Sequence, residues 1–210
     1  EKFIKSTIIL LLGGFLTKVL GMIIKIIMSR LIGTEGLGLY MLILPTFSLF
    51  IGISQLGMPV ALAKLIAEEK RNNKRLFFSV VPVILLVNVL LIILIVLLAP
   101  VLSNNLLHNK DTYYGIMAIA LVIPFTSISS ICRSYFFGKE RMGPHVVSNL
   151  LEDVVRLILM IVGIPFVIDK GLEYAVCYII LSNIISEAAS IVVLFLFLPK
   201  GTIIKRSDLR

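Results

Sequence analysis

The sequence predicts an all-α membrane protein, a six-transmembrane-helix bundle with both termini on the cytoplasmic side, and three observations predict it. Of its 210 residues 59% are hydrophobic and only 15% charged, too little charge to clothe a soluble domain of this length. The apolar residues form six long runs, and Leu76–Pro100 carries no charge at all; a helix of ~20 residues crosses a ~30 Å hydrocarbon core. The basic residues, finally, gather between the runs and on alternate sides of them.

The first run, Phe3–Ser29, lacks a small-residue cleavage site and is too long for a signal peptide, so it stays as a helix. The second is Leu37–Ala63 and the third Leu76–Pro100. A connection at 103–111, rich in Asn with a His-Asn-Lys-Asp stretch, reads as a turn before the fourth run, Tyr113–Phe137. Pro144–Ile168 and Leu172–Leu198 complete the set. Barrel strands would be ~10 residues long and strictly alternating. Helices satisfy their own backbone in lipid and are what remains. Residues 1–199 are thus expected to form one transmembrane lobe, and 200–210 a basic cytoplasmic tail or linker. Because numbering starts at Glu1 and the end is basic and polar, a longer chain is the expectation.

Orientation follows from Lys and Arg. One side holds Lys2 and Lys5, the 64–75 connection, Arg133, Lys139 and Arg141, and the tail. The other holds Arg30, Lys110 and Lys170. The bias is fourteen to three, which puts the first side in the cytoplasm. Arg133 and Arg141 are read here as loop charges that set topology.

Several function classes drop out. The net charge of +8 is scattered in short clusters facing anionic lipid, with no zinc spacing, basic helix or aromatic platform for nucleic acid. Cys132 and Cys177 are expected in opposite halves of the bilayer, as small packing residues. With only His108 and His145 available, no nucleophile–base pair, metal set or phosphate loop can be assembled. No enzyme and no cofactor is expected.

Charges inside the runs remain, and these are costly in lipid and by default functional. Lys18 and Lys25 in the first run lie seven residues apart, nearly on one face of a helix. Gly14 and Gly21 share that stripe, where the backbone can pack closely or bend. A cationic stripe suits an anionic group such as a phosphate; the bland alternative is snorkelling to the interface. In the fifth run Asn149, Glu152 and Arg156 share a face beside Asp153. Glu152 and Arg156 are expected to pair at i,i+4, as a neutralised pair or one that substrate can open. Glu187 in the sixth run has no partner in its own helix and is expected to face Lys18 or Lys25, or to be protonated. Pro45 and the Gly13-Gly14 pair are candidate hinges. Tyr40, Ser54 and Gln55 are weaker candidates.

Thr17-Lys-Val-Leu-Gly-Met-Ile-Ile-Lys25, Ser29-Arg-Leu-Ile-Gly-Thr-Glu-Gly-Leu-Gly-Leu-Tyr40, Gly57-Met-Pro-Val-Ala-Leu-Ala-Lys-Leu-Ile-Ala-Glu-Glu69 and Arg133-Ser-Tyr-Phe-Phe-Gly-Lys-Glu-Arg-Met-Gly-Pro144 resemble segments of the polysaccharide-biosynthesis flippases. These belong to the multidrug/oligosaccharidyl-lipid/polysaccharide exporter superfamily, and the likeness, strongest to their sporulation branch, covers essentially the whole chain. The resemblance implies a carrier of two six-helix lobes that moves lipid-linked oligosaccharides across the cytoplasmic membrane by alternating access, in cell-wall or spore-cortex biosynthesis. It further implies that Lys18 and, with a shift of about one residue, Lys25 meet a pyrophosphate in a central cavity. Lysine there replaces the family's usual arginine and supplies charge without a bidentate fork. The partners it implies are membrane lipid, an anionic lipid-linked glycan and a second six-helix lobe, from the same full-length chain or another copy. Two alternatives stay open: a multidrug or cation extrusion lobe, and a non-transporting scaffold for wall or spore assembly.

Overall fold

Apolar runs that must satisfy their own backbone fold as helices, and helix accounts for nearly all of the computed structural model, which describes residues 2–68 and 73–197. The tail at 200–210, with Lys70 and Arg71 of the inner connection, lies outside the described residues.

Helix α1 spans Lys2–Gln55, 54 residues, and so joins the first two runs. At the expected connection between them stands Gly33, whose φ of 71° and ψ of −177° are non-helical, so that two helical stretches meet there. That backbone region is essentially closed to residues bearing a Cβ. A second break falls at Leu56 and Gly57, φ 48° and 68°. It splits the Leu37–Ala63 run, expected as one helix, and the remainder continues as α2, Met58–Glu68. Pro59 is tolerated in the first turn of α2, where its missing N–H has no helical partner to lose. The first break falls in the gap that hydropathy left between Ser29 and Leu37; the second does not show in hydropathy, which carries no information about φ.

Helix α3, Asn73–Val101, ends in a π-turn at Leu102–Leu106. A 3-10 turn, Lys110–Thr112, follows, and the Asn109 side chain accepts from the Asp111 N–H at 2.9 Å. Helices α4 (Tyr113–Gly138), α5 (Met142–Val167) and α6 (Leu172–Phe197) match their predicted runs to within a few residues.

The enclosed element is α4, against which α1, α2, α3 and α6 all pack; α5 is clasped between α1 and α6. Two apolar clusters lie along it. One gathers Met28, Ile43, Ile95, Ile119 and Ile179. The other gathers Leu62, Ile66, Ile84, Ile131 and Phe136 toward the far end of α4. Gly138 lets α2 come down on α4, since a Cβ there would strike the Ala63 carbonyl and Ile66. At the same end the Ser6 hydroxyl donates to the Glu140 carbonyl at 3.0 Å, which puts the start of α1 beside the α4–α5 turn. At the other end the rings of Tyr114 and Tyr174 lie 5.1 Å apart, tilted by 32°. Both cysteines are free, Cys132 in the core.

Among the described residues four helices are long and apolar enough to cross a membrane: residues 6–55 of α1, 79–106, 110–138, and α6. The first contains the Gly33 break, so its 50 residues, ~75 Å of contour at 1.5 Å per residue, are two helical stretches in series. Helix α5 is as long as α4 but Glu152, Asp153 and Arg156 interrupt its apolar run.

Candidate functional site

Two sets of charges lie within the helices, and the fold treats them in opposite ways.

The first set is buried between α4, α5 and α6. Arg133, on the last turns of α4, donates through Nη2 to Glu152 of α5, to Glu187 of α6 at 3.2 Å and to the Ser190 hydroxyl at 2.8 Å. Glu152 also receives Arg156, one turn on in α5, and Arg156 approaches Asp153 at 3.5 Å. The side chains of Arg133, Glu152 and Glu187 are only 17%, 11% and 8% exposed. Such burial is sustainable because each carboxylate meets a guanidinium; an unpaired charge there would cost several kcal/mol. Three acids face two arginines, so no positive charge in the cluster stands unbalanced.

This corrects two expectations. Arg133 is not a loop charge: α4 continues to Gly138, and Arg133 is the hub that ties three helices together. Glu187 pairs with Arg133, not with Lys18 or Lys25. The signal that could have found Arg133 is the Tyr135-Phe136-Phe137 sequence after it, which keeps it inside the apolar run. Arg156, a predicted substrate-binding residue, is held by Glu152 and Asp153.

The second set is open. Lys18 and Lys25 are both exposed on α1 and form no ion pair among the described residues. A Cβ on Gly14 or Gly21 would meet nothing within 4 Å, so no part of this lobe covers the stripe. Gly13 is on the packed side, against Val146 of α5. At ~100° per residue the lysines stand about 90° round the helix from the packed Ile24 and Met28 face, on its flank. Pro45 is exposed within regular helix; the backbone breaks instead at Gly33 and Leu56–Gly57.

A buried polar layer joins the helices between these sets. Ser54 and Ser127 hydroxyls lie 3.1 Å apart, Ser127 donates to Asn88 Oδ1 at 3.3 Å, and Gln55 donates to the Ser130 hydroxyl at 2.9 Å. Ser54 and Gln55 therefore stitch α1 to α4; half-buried Tyr40 packs against the apolar core.

Below Gln55 a cavity of about 800 Å³ opens between the first turns of α1 and helix α2, with α4 behind it. Leu10, Val60, Phe137 and Met142 supply apolar wall, while Arg133, His145 and Lys64 supply basic groups. No His/Cys/Asp/Glu grouping suited to a metal occurs among the described residues.

The family model described as polysaccharide biosynthesis protein matches residues 3–210. Stage V sporulation protein B of Bacillus subtilis (strain 168) is 37% identical over 209 residues, covering 97% of this chain and 40% of that protein. Sporulation protein YkvU of the same organism is 26% identical over 190 residues, 88% of this chain and 42% of its own. Lipid II flippase MurJ, also from Bacillus subtilis, is 26% identical over 216 residues, 95% of this chain and 40% of its own. The chain thus spans about two fifths of the length of these relatives. No solved structure matches it significantly.

Proposed function

The chain belongs to the polysaccharide biosynthesis protein family, and from that premise we propose that it is one lobe of a flippase for lipid-linked oligosaccharides, multi-pass in the cytoplasmic membrane. In this reading residues 1–199 cross six times, with both ends inside, and α1 makes two of the crossings by folding back at Gly33. The single observation that carries the reading is the division of charge. Among the described residues every acid buried within the helices is engaged by arginine, whereas Lys18 and Lys25 stand exposed and form no ion pair. An uncovered cation at bilayer depth is costly unless it faces water, a partner or an anion. The stripe therefore favours an anionic headgroup over a cationic drug, for which a free carboxylate would be needed.

A second six-helix lobe, from the same full-length chain or another copy, would close against this flank and complete a wet cavity, as in transporters built from repeats. Phosphate oxygens of the glycan lipid would meet Lys18 and Lys25 there while the lipid tail stays in the bilayer. Rocking of the lobes would turn the cavity to the other face. Gly14 and Gly21, with free space beside them, Gly13 at the α5 contact, and Pro45, which removes a helix hydrogen bond, are the proposed points of bending. The ion-paired cluster, with Glu152 and Glu187, would keep α4, α5 and α6 moving as one body.

The test is Lys18→Ala in the full-length protein, reconstituted in vesicles with a lipid-linked glycan. Transfer should fall at least tenfold with insertion unchanged, and Lys18→Arg should restore most of it. Full transfer by Lys18→Ala sinks the reading and leaves a membrane scaffold in its place.

A further inference from the structure

The first turns of α4 and α6 come together at the end of the bundle opposite the Ser6–Glu140 contact, and Gly115 is the reason they can. A Cβ there would strike Ile43 of α1 and crowd Ile180 of α6, so the missing side chain lets α4 settle closely on both. One residue earlier, Tyr114 of α4 meets Tyr174 of α6, with ring centroids 5.1 Å apart and planes tilted by 32°. Tyr113, packed against the apolar core, sets its ring edge-on to Tyr114 at 5.7 Å. Asn109 pins the turn that leads into α4, its side chain accepting from the Asp111 N–H at 2.9 Å and its carbonyl from the Thr112 hydroxyl at 2.7 Å. The pair is thus held in place from below, yet Tyr114 is 43% and Tyr174 38% exposed.

Acids border the rings. A Cβ on Gly171 would lie 3.4 Å from the Tyr174 ring and 3.7 Å from the Glu173 carboxyl, so both side chains lie over one stretch of backbone. Asp111 and Asp169 are exposed in the 3-10 turns that precede the two helices, Lys110–Thr112 and Ile168–Lys170. An aromatic surface edged by carboxylates and phenol hydroxyls has the chemistry a sugar ring needs. The C–H face of a pyranose packs on the ring, while its hydroxyls donate to acids and exchange hydrogen bonds with phenols. A membrane anchor needs only separate rings, each with its hydroxyl at the water, and gains nothing from a pair fixed beside an acid.

We propose that Tyr114, Tyr174 and Glu173 form a glycan-holding platform, on which a pyranose ring stacks against the exposed tyrosine faces and donates hydroxyl hydrogen bonds to Glu173. Its use in transport rests on the flippase reading, in which this end faces away from the cytoplasm and holds the sugars as the headgroup leaves Lys18 and Lys25. The platform itself rests on the ring pair and asks for no charge on the ligand.

The test uses the full-length protein in phosphatidylcholine nanodiscs, which leave both faces open to solute. Soluble tetramers of N-acetylglucosamine and of glucose are titrated in turn and read by saturation-transfer NMR. At least one should give a saturable signal, its midpoint raised about twofold to tenfold by Tyr114→Ala and by Tyr174→Ala. Tyr174→Phe keeps the ring and should hold the midpoint within about twofold of the parent. A second measurement needs no variant: nitration of Tyr114 and Tyr174 by tetranitromethane, followed by mass spectrometry, should slow at saturating tetramer and not in glycerol of equal hydroxyl concentration. No saturable signal from either tetramer, midpoints indifferent to both alanine changes, or nitration that glycerol slows equally would each overturn the platform. Lys18→Ala should leave the midpoints where they were. If the platform fails while Lys18→Ala still abolishes transfer, it falls alone; if transfer survives Lys18→Ala and the midpoints still follow the rings, the flippase reading falls and the platform stands.

Discussion

Replacing Arg133 by methionine keeps the bulk of the side chain and removes the cation shared by Glu152 and Glu187. Both acids are about nine-tenths buried. Glu152 retains Arg156, but Glu187 loses its only cation and keeps no ion pair among the described residues. Removing one partner of a buried pair costs ~3–5 kcal/mol, most of it the penalty of stranding the other charge. The purified protein in detergent should accordingly melt ~10 °C lower, taking roughly 2–4 °C per kcal/mol for a chain of this size. Neutralising the stranded acid should undo much of that loss. Arg133→Met with Glu187→Gln is expected to recover ~1–3 kcal/mol relative to Arg133→Met alone, the coupling typical of residues in one network. The assay is a double-mutant cycle on thermal melts. A cost below ~1 kcal/mol for Arg133→Met, or two changes that simply add, would refute the hub and return Arg133 to the role of a loop charge.

Gly33→Val should destabilise by ~1–3 kcal/mol, because valine resists the φ of 71° at the kink; an unchanged melt would mean the chain turns elsewhere. Gly138→Val drives a side chain into the Ala63 carbonyl and Ile66, and overpacking of that kind costs ~1–3 kcal/mol, read as a lowered melt together with faster proteolysis in α2. Ser127→Ala removes the link between Ser54 and Asn88 and should cost ~1 kcal/mol, about what interhelical hydrogen bonds contribute in membranes. Exposed Lys64 and Glu68, 4.0 Å apart, should contribute under ~0.5 kcal/mol, so Glu68→Gln is expected to leave the melt unmoved within error.

Much of the architecture could be read from residue order because helix formation in lipid is local. Each apolar run closes its own backbone hydrogen bonds, so the ends of α4, α5 and α6 lie within a few residues of where hydropathy puts them. The Glu152–Arg156 pairing is equally local, since residues four apart on a helix are neighbours whatever surrounds them. The charges at positions 18, 25 and 187 stand out for the same reason, as breaks in apolar runs.

Partnerships across helices are another matter. Arg133 meets residues 19 and 54 positions away in the chain, and the match depends on how three helices are rotated and how far each slides along its axis. Nothing in a one-dimensional pattern records those quantities. Packing sets them, including the glycine that lets α2 settle on α4. Residue order alone thus determined which segments are helical and which charges had to be accounted for. Tertiary structure decided that one basic residue became a buried hub, that two others were left uncovered, and that a cavity formed between α1 and α2. Backbone hydrogen bonding is satisfied within a segment, whereas a buried charge is satisfied only by whatever the fold brings to it.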